Sequence, residues 1–420
     1  MNTVRITKNR KVLLENFFFL CVLQIMRYLV PILVLPYVSR VIGLVHFGEI
    51  AVTASVTMII QIIVEYGYNY IGAKDVAKNK NNFVFISDLY SSITIARITL
   101  FSFCYIIVSI LTFFIPVLEN VRLLLLITCP NVLLYVLMPE WLYQGLEEMK
   151  FITIIHVVSR IAYLALIFTL IRQPEDYIFY PIVNGIGFLT ANIASFTILR
   201  RKKIYLHFVS PEKLWQMLQR GWNLFVNSIC GGMLGSLLGI FIGNNLSIRD
   251  AGIYNASSRL IGAASHGMNI VSRVFFPFLA QHIEKHTKFF ILNTLIALSL
   301  ALFTFFCAPF LFHIFYPSEF SEGILIMRIM AIGLFFSCVN NSLSANYLIL
   351  LGKEKLVRNM GLINLIFGLS LYLLAIKFYG LLGVAIIGVA ISMLNTMVFS
   401  IYTIIIKRQR SKQSIILTSC

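Results

Sequence analysis

The sequence predicts an all-α, polytopic membrane protein: twelve transmembrane helices in two pseudo-repeated six-helix bundles around a central cavity. Three observations predict it. Of the 420 residues, 59% are apolar and only 12% charged, where a soluble domain carries about a quarter charged residues. Apolar runs recur at the length needed to cross a bilayer, and basic residues crowd into alternate connections between them. The mean hydropathy of +0.87 agrees. A soluble chain of this size would need several cores, and too few polar residues would remain to cover them. A cytosolic enzyme, a disordered chain and a secreted disulfide scaffold are thereby excluded. Six of the seven cysteines (Cys21, Cys104, Cys129, Cys230, Cys307 and Cys338) lie inside apolar runs without a Cys-x-x-Cys pair and read as small core residues.

A bilayer core of roughly 30 Å takes about 20 apolar residues per helix. The twelve runs lie at 12–38, 46–70, 84–116, 121–144, 152–171, 177–199, 221–243, 250–279, 290–315, 324–350, 358–377 and 381–406. The first follows Arg5, Lys8, Arg10 and Lys11, but it is too long for a signal-peptide core and lacks a small-residue cleavage site, so it is expected to stay as the first helix. Pro31 and Pro36 in the first run and Pro130 and Pro139 in the fourth are expected to kink their helices. Gly231, Gly235 and Gly239, four residues apart, predict a close helix-packing face. The connection 200–220 is long enough for a loop with a surface helix. It is expected to link an N-terminal bundle (1–199) to a C-terminal bundle with a basic tail (221–420).

The formal net charge of +17 does not form one exposed patch, so nucleic acid is not the expected partner. Of the 34 Lys and Arg, 23 fall in one set of alternate connections and the termini, and 5 (Arg40, Arg122, Arg172, Arg249 and Lys377) in the other. By the positive-inside rule both termini face the cytoplasm and the number of spans is even. A short internal repeat supports two halves. Asn16-Phe17 opens the first run and Asn223-Leu224-Phe225 the seventh. Phe47-Gly48-Glu49-Ile50-Ala51 opens the second, and Ala251-Gly252-Ile253-Tyr254-Asn255-Ala256-Ser257 the eighth. Six helices per half put both copies in one orientation, an architecture suited to alternating access by rocking bundles.

Six basic residues fall within the spans: Arg27, Arg97, Arg160, Arg259, Arg273 and Arg328. A charge at mid-bilayer costs about 2.5–3.5 kcal/mol, so each needs a partner, an aqueous cavity or a route to the surface. Arg259, His266 and Arg273 repeat every seven residues and so share one helical stripe roughly 21 Å long. With Arg27, Arg97 and Arg160 they would form a cationic lumen for an anionic group, guanidinium being the natural partner of phosphate oxygens. Snorkelling is the other reading, strongest for Arg273 and Arg328. Glu65, Asp88 and Glu140 are the membrane-depth acids: either protonatable sites for a coupling ion or static partners of the arginines. Asn340 and Asn341, within a polar run that includes Ser342, Ser344 and Asn346, either meet substrate hydroxyls in a hydrated cavity or bond neighbouring helices. No catalytic constellation, metal set or phosphate loop is present, so no cofactor is expected and ATP is not the fuel. The histidine pair in Gln281-His282-Ile283-Glu284-Lys285-His286 reads as a solvated loop rather than a zinc site. Outward loops of about ten residues or fewer leave no room for a polymerase or glycosyltransferase site.

Two stretches carry a resemblance. Leu35-Pro36-Tyr37-Val38-Ser39-Arg40-Val41-Ile42-Gly43 with Phe47-Gly48, and Pro139-Glu140-Trp141-Leu142-Tyr143-Gln144-Gly145-Leu146-Glu147-Glu148-Met149-Lys150, resemble the signatures of bacterial polysaccharide transporters, the latter the span-4 end of O-antigen flippases. Ala251–Ser257 is a third, looser match. With span number and size, the resemblance covers essentially the whole chain. It implies the multidrug/oligosaccharidyl-lipid/polysaccharide flippase superfamily. The implied substrate is an undecaprenyl-diphosphate-linked oligosaccharide, translocated from the cytoplasmic to the periplasmic leaflet of the inner membrane. Proton or sodium coupling is implied, with membrane lipids and the polymerase and chain-length regulator of polysaccharide assembly as partners. The alternative is an ion-coupled small-molecule or drug antiporter of the related extruder group, although a lumen for cationic drugs would be acidic rather than rich in arginine.

Overall fold

The computed structural model describes residues 2–418; side chains are described across that range except at 2–17, 20, 21, 25, 27, 28, 230, 231, 277 and 410–418. All regular structure among the described residues is helical. Lipid offers the backbone no hydrogen bonds, so apolar runs of this length satisfy their own N–H and C=O groups as helices. The chain divides into two compact units, Met1–Ile240 and Phe241–Cys420.

The first unit comprises α1 (Asn2–Glu65), α2 (Tyr68–Lys78), α3 (Phe83–Leu111), α4 (Pro116–Asn120), α5 (Arg122–Leu137), α6 (Glu140–Gly145), α7 (Met149–Leu170), α8 (Phe179–Arg201) and most of α9 (Pro211–Asn245). The second comprises α10 (Ile248–Gln281), α11 (His286–Phe306), α12 (Ala308–Phe315), α13 (Gly323–Leu343), a π-helical turn (Ser344–Ile349) and α14 (Glu354–Thr418). Among the described residues eight helices are long and apolar enough to cross a membrane, or nine if the halves of α9, bent by 55°, count as one span. Two of the eight run over 57 and 56 residues, nearly three times the length that a core of roughly 30 Å accommodates. Each is interrupted by a glycine outside helical geometry, Gly43 (φ 71, ψ 178) and Gly380 (φ 58, ψ −141). A side chain would strain both positions. The expected second and twelfth spans thus follow their predecessors across a single-residue break. The helical backbone continues through Pro31, Pro36 and Pro130; only Pro139 stands at an interruption. Flanking helical hydrogen bonds absorb the missing N–H at the others.

The stretch from 202 to 210 is a loop, and from Pro211 onward the chain is helical and continuous with the seventh run. Lys203 takes the left-handed conformation (φ 61) and the Ile204 N–H returns to the Leu199 carbonyl (3.0 Å), closing α8 with a Schellman turn. The loop is fastened to α3: the His207 N–H donates to Ser91 Oγ (3.1 Å), and Asp88 accepts from His207 Nε2 (2.6 Å) and Lys213 Nζ (2.8 Å). Arg220 of α9 reaches Asp75 of α2 at 2.6 Å.

Close packing concentrates where α2 meets α6. A Cβ on Gly72 would lie 2.3 Å from the Trp141 ring, and one on Gly145 would lie 2.6 Å from Val76 and 2.8 Å from the Ala73 carbonyl. Of the expected glycine stripe, Gly239 packs on Ser55, where a Cβ would come within 2.0 Å of the hydroxyl. Gly235 faces open space, and Gly231 lies outside the residues whose side-chain surroundings are described. Gly72→Val should therefore lower stability by about 1–3 kcal/mol or more through overpacking, whereas Gly235→Ala should leave it unchanged. Thermal unfolding of the two purified variants decides this.

Candidate functional site

The fourth expected span is two helices, α5 and α6, hinged at Met138-Pro139. Proline has no N–H to continue the α5 ladder, and the Glu140 N–H turns back to the Met138 carbonyl (3.0 Å). This strands carbonyls in the last turn of α5, and side chains from two other helices take them up. Arg97 of α3 donates to the Val136 carbonyl through one guanidinium nitrogen, and through the other to Asn69 Oδ1 of α2 (2.8 Å). Asn192 of α8 donates to the Leu134 carbonyl (2.6 Å). A guanidinium at a helix C-terminus also meets the negative end of the helix dipole. Arg97 is only 2% exposed, and the carboxylates of Glu65 and Glu140 both act on its charge.

The break has a chemical result: it puts Glu140 at the first turn of α6, facing α7. Its Oε1 lies 2.8 Å from His156 Nε2, with side-chain exposures of 28% and 8%. Glu65 is partly buried and accepts from Gln61 Nε2 (2.8 Å). One end of the first unit thus collects Glu65, Asn69, Arg97, Glu140 and His156 into a charged constellation inside apolar helices. Sequence reasoning missed His156 and Asn69. The available signal was a histidine at the fifth residue of the 152–171 apolar run, where ionisable residues are rare. The signature stretch closes just after the site. Glu147 is left-handed (φ 62), the Glu148 N–H returns to the Tyr143 carbonyl (2.9 Å), and Glu147 and Glu148 pair with Lys80 (2.7 Å) and Lys202 (2.6 Å). In the other signature stretch, the Tyr37 hydroxyl donates to the Ile171 carbonyl (2.6 Å) shortly before the Gly43 break.

The second unit repeats the device with other residues. Its tenth run ends α13 in the π-helical turn Ser344–Ile349, which displaces the regular ladder. The Ser342 carbonyl takes a hydrogen bond from His286 Nε2 (3.1 Å), which must be the protonated nitrogen because a carbonyl only accepts. His286 is buried at the head of α11. The expected solvated loop at 281–286 is therefore corrected: His282 is partly exposed, but His286 is an interior hydrogen-bonding residue that the pattern of the surrounding charges concealed. The asparagines bond helices together. Asn340 donates to the Ser392 carbonyl (3.0 Å) and accepts from Thr396 (2.9 Å), Asn341 donates to Asn269 (2.9 Å), and Asn346 donates to the Ser272 carbonyl (3.0 Å). The Ala251–Ser257 stretch packs against the start of α13, where Ser257 donates to the Gly323 carbonyl (3.0 Å) and Tyr316 to the Ala256 carbonyl (3.1 Å).

The other flagged residues are dispersed. Arg160 is partly buried between the rings of Tyr163 and Phe188, 5.7 and 5.8 Å from their centroids. Arg259, His266 and Arg273 lie on the unbroken helix α10, Arg259 partly buried and the other two exposed. Arg328 sits 5.7 Å from the Phe305 ring centroid. Asp88, 43% exposed, is the anchor of the 202–210 loop. The Arg27 side chain lies outside the described residues. Beyond the expected spans, Arg249 forks onto Glu322 (2.7 and 3.1 Å) and holds that carboxyl below the usual carboxylate range.

Residues 13–283 match the family model described as polysaccharide biosynthesis protein. The chain belongs to the polysaccharide biosynthesis protein family. Two relatives carry the name "Putative O-antigen transporter". The one from Shigella dysenteriae is 23% identical over 384 residues, 89% of this chain and 95% of its own length. The one from Escherichia coli (strain K12) is 23% identical over 281 residues, 66% of either chain and so just short of two thirds of the relative. Among solved structures, the lipid II flippase MurJ in an inward closed conformation superposes with a TM-score of 0.70 at 14% identity, over 92% of this chain and 87% of MurJ. The polysaccharide biosynthesis family member described here is thus an integral, multi-pass membrane protein with a transporter fold.

Proposed function

We propose that the protein flips undecaprenyl-diphosphate-linked O-antigen or related repeat units from the cytoplasmic to the periplasmic leaflet of the inner membrane by alternating access. The observation that carries this reading is the match along 95% of the length of a relative named as an O-antigen transporter. The polytopic fold and the arginines within it are consistent with an anionic cargo. No covalent chemistry is required: the diphosphate is the handle, the sugars need a hydrated path and the polyprenyl tail stays in lipid. Twelve crossings are proposed, the two long helices contributing two each at Gly43 and Gly380, with the bent α9 and the arginine-bearing α10 added. Both termini then lie in the cytoplasm, with bundles 1–199 and 221–420 about the 200–220 connection.

Arg27, Arg160, Arg259 and Arg273, with His266, are proposed to guide the diphosphate, and Asn340 and Asn341 to shape the path. Glu140, buttressed by Glu65, is proposed to take the coupling proton together with His156. An imidazole nitrogen 2.8 Å from the carboxylate suits a shared proton better than sodium, which prefers a cage of oxygen ligands. Asp88 is proposed only as a fastening of the loop.

Cells lacking the protein should accumulate complete single repeat units on the cytoplasmic face, measured by mass spectrometry of extracted lipids with leaflet location probed from the periplasmic side. Normal pools and normal surface polysaccharide, with no redundant flippase, would overturn the reading in favour of a small-molecule antiporter. Arg160→Ala and Arg259→Ala should insert normally yet abolish export, with partial rescue by lysine; loss of folded protein in both would mark them as structural.

A further inference from the structure

A cavity of about 350 Å³ lies wholly within the second unit, among α10, α13 and α14, inside the range of small-molecule sites, about 300–1,000 Å³. Six hydroxyl-bearing residues line it: Tyr254, Ser258, Ser265, Ser337, Tyr372 and Ser392. None of its lining residues is charged. Two of the six have local partners, Ser258 donating to the Asn255 carbonyl (3.0 Å) and Ser392 to the Gly388 carbonyl (2.9 Å). The hydroxyls of Tyr254, Ser265, Ser337 and Tyr372 make no hydrogen bond to the described residues, although Tyr254 and Tyr372 lie close enough to interact. Glycines hold the space open: a Cβ on Gly262 would meet nothing within 4 Å, one on Gly333 would touch Val389 at 3.4 Å, and one on Gly388 would approach the Tyr372 hydroxyl at 3.2 Å.

A hydroxyl both donates and accepts. Unpartnered hydroxyls converging on a neutral, roomy chamber call for an occupant that returns both kinds of hydrogen bond and carries no charge. Tyrosine rings add apolar faces of the kind on which the C–H face of a pyranose packs. We propose that this cavity is a binding site for an uncharged sugar, with room for one or two rings. The site rests on the flippase reading above and deepens it: the C-terminal unit recognises the glycan while charge is handled by other residues. Its hydroxyls are adaptable and not tied to one stereochemistry, which fits selection for a neutral hexose or acetamido sugar over an acidic one.

The test compares two probes on the intact protein in nanodiscs: undecaprenyl diphosphate, and the same lipid carrying a neutral disaccharide. The wild type should bind the glycosylated lipid about tenfold more tightly, the gain of one or two good hydrogen bonds. Gly262→Val, which fills the cavity without a clash, should lose that gain while binding the bare lipid as before. The double variant Tyr254→Phe/Tyr372→Phe, which keeps the volume, should lose most of it too. Equal binding of the two lipids by the wild type, or full retention of the gain in both variants, would overturn the sugar site and leave a chamber of ordered water. If the wild type binds neither lipid, the flippase reading falls, and the sugar site with it.

Discussion

Arg97→Met should destabilise the N-terminal unit by about 3–5 kcal/mol, the usual cost of removing one partner from a buried charge network, and should abolish export. Three losses add. The Val136 carbonyl, freed by the break at Pro139, loses its donor, and a buried carbonyl without a partner costs about 1–3 kcal/mol. Asn69 loses the guanidinium that holds α2 to α3. Glu65 and Glu140 lose the buried cation on which both act. Arg97→Lys should recover only part, because a single ammonium cannot fork to the carbonyl and to Asn69 at once. Asn192→Leu is the control. It removes the neutral cap on Leu134 and should cost about 1–2 kcal/mol, with export reduced but not lost. Circular dichroism melts of the purified variants give the ranking, and an unchanged midpoint for Arg97→Met would show that the break holds without it.

Glu140→Gln should leave a folded protein whose export no longer responds to the proton gradient. A glutamine still fills the site and bonds His156 but cannot exchange a proton with it. Coupling energies of about 1–3 kcal/mol correspond to changes of about 5- to 150-fold, so gradient-driven flipping in proteoliposomes should fall within that range while lipid binding persists. His156→Gln should behave likewise, and the double variant should be no worse than either single one, since both remove the same proton site. Gradient-sensitive export at the wild-type rate in either variant would assign the pair a purely structural role.

Much of the fold was legible. Apolar run length located most helices to within a few residues, because bilayer thickness acts on sequence directly; α9 begins ten residues before its expected run. The places of two breaks were legible, since the expected connections 39–45 and 378–380 contain Gly43 and Gly380; their form, one glycine turned out of helical geometry, was not. Arg40 and Lys377 mark the connections, but a backbone torsion leaves no hydropathic trace. In the site, deep charge made Arg97 and Glu140 visible, but their partners were not. The acceptor of Arg97 is a main-chain carbonyl that becomes available only because Pro139 halts the ladder. His156 meets Glu140 only once the turn at 146–148 folds α7 back. Asp88 drew attention as a membrane-depth acid; its partners His207 and Lys213 are more than a hundred residues away and join it through a loop with no periodic signal. The polar run from Asn340 left two readings open, and its observed bonds between helices depend on which faces of α10, α13 and α14 meet.

The division at residue 240 has a spectroscopic consequence. The chain has three tryptophans, Trp141, Trp215 and Trp222, and every one precedes Phe241, where the second unit begins. Intrinsic indole emission from the intact, unlabelled protein is therefore a reporter of the first unit alone. Trp141 is 1% exposed and wedged against Gly72; it supplies a blue, quencher-resistant component. Trp215 and Trp222 on α9, at 63% and 55% exposed, supply one that iodide can reach. A single tryptophan placed in the dark second unit would then read that half without interference once the native three are replaced by phenylalanine.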